Sequence, residues 1–342
     1  MSIEHESHYA PHGEFEVSAA QKTVVFREPA EQALGSRPEP RPERRPVSRT
    51  AVVLSFLAIY LIWGSTYLAI WYAVASIPPL YTAGFRHAIA GTILLVWALV
   101  KGQRPTREQI RASIVVGFLF FLVGHGTLHW AETQIPTGLA SLLIASEPIW
   151  VFLMACAVER RWRMNWLLFL GVALGLAGVA LLMGRDVGSA GRGVFWGALA
   201  CLVGAISWSG GIIYSRRSHL SGSPLLLSAL SLLAGSAMLL LTATLVGEYR
   251  GFSIAQVPER SWLALGYLVV FGSVITFTAY NWLLEHYSPT IVATHTYVNP
   301  IVAVVLGWWL AGEHISVNVM ASAAMVIAAV FLVDRGMTRL KP

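Results

Sequence analysis

One carboxylate, Glu147, stands alone in an otherwise uncharged apolar stretch, directly before Pro148. Facing hydrocarbon it would cost about 2.5–3.5 kcal/mol on insertion scales, so it is expected to face a cavity or a partner. Its chemistry there would be proton carriage or cation binding; the alternative is a structural pair, most obviously with Arg86. Arg86 lies in a second apolar stretch and is followed by His87. Its guanidinium could hold a substrate carboxylate, counter Glu147, or reach along its stem to the membrane interface. His125, His129 and Glu132 recur at i, i+4, i+7, one face of a helix, which suits a polar cavity wall or a proton relay as well as plain packing. With no HExxH pattern and no evident fourth ligand, no metal is expected. His295 and Asn299 repeat the i, i+4 spacing, with Tyr297 between them. Asn299-Pro300 echoes Glu147-Pro148, and an in-helix proline frees a carbonyl, so Pro148 and Pro300 are candidate flexing points. Trp63, Tyr67, Trp150, Trp208, Tyr280 and Asn281 supply aromatic and amide groups near the centres of apolar stretches. A cavity lined by them would suit amphipathic or cationic solutes.

The elements that must position these groups follow from composition. Of 342 residues, 56% are apolar and 12% are Asp, Glu, Lys or Arg, about half the charge a soluble domain carries. Residues 1–50 hold 7 of the 24 basic and 8 of the 18 acidic residues and are rich in proline. That segment is expected to be a disordered cytoplasmic tail, with no apolar run of a secretory signal. The rest cannot clothe a water-facing surface, which excludes a soluble enzyme. The net charge of +6 then belongs to membrane-flanking loops rather than to nucleic-acid binding. Cys156 and Cys201 lie in apolar stretches and imply no disulfide framework. No GxxxxGK[ST] loop occurs, so no nucleotide or other cofactor is expected.

Spans of roughly 20 residues, enough to cross a bilayer as helices, fall near 52–75, 79–100, 112–131, 136–158, 165–184, 193–214, 224–246, 262–284, 289–310 and 315–333. The fold class expected is thus an all-α integral membrane protein of ten transmembrane helices. With the N-terminus inside, cytoplasmic loops receive 12 Lys and Arg residues against four outside, which places both termini in the cytoplasm. Residues 130–148, WAETQIPTGLASLLIASEP, echo 282–300, WLLEHYSPTIVATHTYVNP, and Trp63 matches Trp208. A five-helix unit repeated once must be inverted in its second copy, an arrangement common in secondary transporters.

The segments LIWGSTYLAIWYAV, PPLYTAGFRHAIAG, ETQIPTGLASLLIASEPIW, WLALGYLVVFGSVITFTAY and SPTIVATHTYVNPIVAVVLGWWLAGE, in this order, resemble the EamA-type family of the drug/metabolite transporter superfamily, in its bacterial inner-membrane exporter branch. The resemblance implies two inverted five-helix repeats, 51–184 and 193–334, with tails at 1–50 and 335–342. It implies export of small organic metabolites, amino acids or drugs from the cytoplasm by alternating access, coupled to protons. Uncoupled facilitated exchange or uptake is the alternative, and a polytopic membrane enzyme built on His125, His129 and Glu132 is a third. The partners implied are a small-molecule substrate, protons and the bilayer; monomer and homodimer both stay open.

Overall fold

A computed structural model describes residues 48–160, 165–181, 191–218, 223–287, 289–292 and 294–339. Every element among them is helical. Eight helices are long and apolar enough to cross a membrane: α1 (Arg49–Val74), α2 (Pro79–Val100), α3 (Arg107–Ala131), α4 (Thr137–Val158), α6 (Arg192–Ser215), α7 (Pro224–Leu245), α8 (Glu259–Tyr280) and α10 (Val317–Thr338). Two shorter helices, α5 (Trp166–Leu181) and α9 (His295–Leu310), occupy the remaining two expected spans. Their flanks, 182–190 and 288 and 293, lie outside the described residues.

Local chemistry sets the helix starts. At α3, the Thr106 hydroxyl accepts from Gln109 N (3.2 Å) while the Gln109 side chain accepts from Thr106 N (2.9 Å), a reciprocal cap. Asn165 Oδ1 accepts from Leu168 N at α5, and Ser316 Oγ accepts from Val319 N at α10. Two further helix starts are capped from far along the chain, α2 by Glu248 and α4 by Glu313.

Packing follows the small residues. Gly171 and Gly178 let α5 press against α10: a Cβ on Gly171 would lie 2.9 Å from Val333 and one on Gly178 3.1 Å from Met325. The largest buried cluster joins α1, α3, α4, α6, α8 and α10 through Ile70, Ala131, Leu142, Cys201, Leu268 and Val326. Outside it the surface stays apolar, with Phe85, Ile93, Phe169, Leu241 and Phe331 exposed, as lipid-facing helices require. One face gathers the end of α1, the starts of α2, α4 and α8 and the end of α9. There Tyr72 Oη donates to Leu310 O (3.1 Å) and Ser261 Oγ to Tyr72 O (2.8 Å). We call it the distal face.

Three helices contain wide π-helical turns: Ala58–Ile62 in α1, Gly117–His125 in α3 and Leu268–Ile275 in α8. Such turns interrupt the regular carbonyl ladder and recur at functional sites. A separate interruption splits α4, whose helical halves are Thr137–Ile144 and Glu147–Glu159. Pro148 therefore begins the second half rather than bending a continuous helix. Pro300 by contrast lies inside α9.

Candidate functional site

The π turns organise the site. In α8, the Gly272 carbonyl accepts from Trp63 Nε1 (3.1 Å) and from Arg86 Nη2 (3.5 Å). Only glycine permits this approach: a Cβ would lie 2.9 Å from Thr66 Cγ2 and 3.3 Å from Arg86 Nη2. Arg86 Nε also donates to Ser273 Oγ (3.0 Å). Arg86 is 3% exposed, so it does not reach the interface. Its bonded partners are neutral oxygens of α8, and among the described residues it forms no ion pair with Glu147.

Beside Arg86 runs a chain of imidazoles. His125 Nδ1 and His87 Nε2 are 2.8 Å apart, with the rings stacked at 4.9 Å. That contact needs one N–H and one lone pair, so the two rings share a proton position. His129 Nδ1 donates to His125 O (2.7 Å), leaving its Nε2 as the acceptor. His87 Nδ1, His129 Nε2 and both Glu132 oxygens are buried without a bonded partner among the described residues. Unpaired buried polar atoms are costly, and each is a place for a proton or a water. Glu132 also borders a depression of ≈ 250 Å³ at the distal face, with Trp71 and Glu313. Trp208 of α6 covers the chain, stacking on His125 (5.1 Å) and on Phe120 (4.3 Å).

A second, aromatic group forms around α1. Trp63 lies 5.2 Å from Tyr280, 5.0 Å from His295 and 5.6 Å from Phe277. His295 Nδ1 donates to Val292 O (2.9 Å). The Asn299 amide, its nitrogen turned to them, donates to Ile59 O (3.0 Å) and Tyr60 O (3.0 Å) in the α1 π turn, and to His295 O (3.2 Å).

Glu147 opens the second half of α4. Its carbonyl accepts from Ser209 Oγ (3.2 Å), but among the described residues no side chain bonds its carboxylate. Tyr67, partly buried on α1, packs against the largest buried cluster. Trp150 Nε1 donates to Ser146 Oγ (3.0 Å) at the same break.

The structure thus brings Arg86, His125 and His129 together, with Glu132 at the end of the chain, and separately gathers Trp63, Tyr280, His295 and Asn299. Tyr297 turns away, donating to Val330 O (3.3 Å) on α10. Asn281 follows α8 in a helical stretch, and its side chain lies outside the described residues. Among the described residues no three His, Cys, Asp or Glu side chains are grouped to hold a metal ion. Sequence reasoning noted His87 only as the neighbour of Arg86 and passed over Ser273 and Gly272. His87 comes from a different helix than its partner, so no spacing marks it, and Gly272 acts through its carbonyl.

The model of the EamA-like transporter family matches residues 50–184 and again 195–334. The chain is 36% identical over 288 residues to the uncharacterized inner membrane transporter YedA of Escherichia coli, covering 82% of this chain and 90% of that protein. It is 23% identical over 288 residues to the uncharacterized transporter YoaV of Bacillus subtilis, covering 82% and 96%. A crystal structure at 20% identity superposes with a TM-score of 0.58, covering 84% of this chain and 98% of the other, and so shares its fold.

Proposed function

Because this chain belongs to the EamA-like transporter family, a family of membrane transporters, we propose that it is a proton-coupled exporter of small organic metabolites, amino acids or drugs. It works by alternating access in the bacterial inner membrane, with both termini cytoplasmic and the distal face external. Loop charge supports that orientation, with 12 basic residues on the cytoplasmic side against four outside.

The observation that carries the reading is the Glu147 carboxylate, bonded by no described side chain, at the break in α4. A carboxylate held by no ion pair can exchange a proton for a cargo cation or amine, the requirement for antiport. The imidazole chain supplies the second element. Protons enter at the external depression beside Glu132 and pass along His129, His125 and His87 toward Arg86, whose positive charge limits how many the chain holds at once. Trp63, Tyr280 and His295 offer an aromatic surface that suits aromatic or cationic parts of a solute.

Proteoliposomes test this. A mixed panel of amino acids, cationic dyes and sugars is offered to wild type and Glu147→Gln with and without an imposed pH gradient. Uphill movement of a solute in wild type alone supports proton antiport through Glu147. Equal movement in both, whatever the pH difference, favours uncoupled exchange and makes Glu147 structural.

A further inference from the structure

Glu248 lies apart from the imidazole chain and the aromatic group, Glu313 meets the chain only across the depression it shares with Glu132, and the two form a matched pair. Each follows a glycine in the left-handed region, Gly247 (φ 78°) and Gly312 (φ 69°), in the turn that ends α7 or α9. Those turns close by backbone bonds, Glu248 N to Ala243 O (3.0 Å) and Glu313 N to Gly307 O (3.0 Å). The chain direction they impose throws each carboxylate sideways, out of the second repeat and onto a helix of the first. Glu248 accepts from Leu80 N (3.2 and 3.1 Å) and Tyr81 N (3.1 Å) in the first turn of α2. Glu313 accepts from Thr137 N (2.6 Å) and Gly138 N (3.1 Å) in the first turn of α4.

Those N–H groups have no intrahelical acceptor, and the positive end of each helix favours an anion there. A local residue could meet the same need, as Thr106 and Ser316 do for α3 and α10. Here the caps come instead from 168 and 176 residues away, and both cross between repeats on the same face. Beside them lie two depressions of that face, one of ≈ 410 Å³ bordered by Glu248 and Arg250, the other bordered by Glu313 and Glu132. A helix cap that joins the two repeats is a tie between them, and it breaks wherever they part.

We propose that Glu248 and Glu313 are paired latches of the external gate, closed in this structure, and that both release when the repeats separate at the distal face. The inference rests on the alternating-access reading above and adds to it the residues that set the gate's equilibrium. Neither residue touches cargo; each acts by holding a first-repeat helix to a second-repeat loop.

Spin-label distances in the purified full chain in lipid nanodiscs test the latches without any knowledge of the cargo. Buried Cys156 and Cys201 stay as background. Outer pairs are placed at Ala75 with Tyr249 and at Gln134 with His314; an inner pair is placed at Arg104 with Thr338. Compared with wild type, Glu248→Ala and Glu313→Ala should each raise the population of long outer distances about tenfold, the effect of losing charge-assisted bonds. The double variant should raise it further, and the inner distances should shorten in step. Glu248→Gln and Glu313→Gln keep one acceptor and should shift in the same direction by less, which serves if the alanine variants do not fold. Outer distances that stay at wild-type values overturn the proposal. So does lengthening at the cut helix alone with no change at the inner pair, the mark of simple fraying. A failure of every solute in the transport panel would count against the exporter reading and leave this result standing.

Discussion

Two positions related by the internal repeat carry opposite chemistry. Asn299-Pro300 in α9 and Glu147-Pro148 in α4 occupy matching places in the echoed segments. Asn299 gives its amide to three carbonyls, two of them in the α1 π turn, and so fastens one repeat to the other. The Glu147 carboxylate bonds no described side chain. The tryptophans differ in the same way. Trp63 anchors its indole N–H on Gly272 and rests among Tyr280, Phe277 and His295. Trp208 stacks over His125, the middle of the imidazole chain, while its neighbour Ser207 donates to Leu119 O (2.8 Å) in the α3 π turn. In the first pair the titratable group occurs on one side only; in the second both tryptophans meet an imidazole, His295 or His125, but only His125 is bonded to a second imidazole, His87. A duplicated scaffold therefore points to its chemistry where the copies disagree.

The contrast can be broken most forcefully at Glu147. Replacing it with Gln should abolish gradient-driven accumulation while leaving thermal stability near wild type, since no bonded partner is lost. Next comes the imidazole chain. His125→Phe removes the partner of His87 and should slow proton-coupled transport about tenfold, in keeping with an unpaired buried polar group. The effect should fall on the pH-driven rate and spare equilibrium exchange of labelled solute. Asn299→Ala should do the reverse: it should destabilise by about 1–3 kcal/mol, read as a lower Tm, yet keep the coupled-to-uncoupled rate ratio. If it uncouples transport instead, the two positions are equivalent and the comparison fails.

A smaller effect concerns Glu248, beyond the end of α7. Its half-buried carboxyl is raised above the ordinary value by desolvation, against the opposing pull of the Leu80 and Tyr81 N–H groups. Released into water it would return to its usual range. The latched state therefore binds the proton more tightly, acid favours it, and rising pH through the raised range loosens it. The Ala75–Tyr249 label distance should lengthen modestly as pH rises, and Glu248→Gln should flatten that response.

Much of this architecture was legible in the chain. Apolar runs of bilayer length announced the helices, and the echoed segments announced a repeat that the family model matches twice. The i, i+4, i+7 stripe placed His125, His129 and Glu132 on one helix, and an isolated charge singled out Glu147. Spacing along one helix says nothing of its neighbours, so the pairing of His87 with His125 and the part of Ser273 could not be read until α2, α3 and α8 were placed. The same holds for Asn299, whose contacts with the α1 π turn no spacing along its own helix could show. Glu248 and Glu313 did leave a signal, a Gly-Glu pair just past an apolar span, but its meaning depends on which helix lies opposite.

The measurement that tests the central claim most directly is proton movement itself. Proteoliposomes carrying an internal pH dye would receive a transported solute, with wild type, Glu147→Gln and Asn299→Ala compared at equal protein density. The account predicts a solute-triggered pH change in wild type and in Asn299→Ala, and none in Glu147→Gln. A pH change of wild-type size in Glu147→Gln would contradict it.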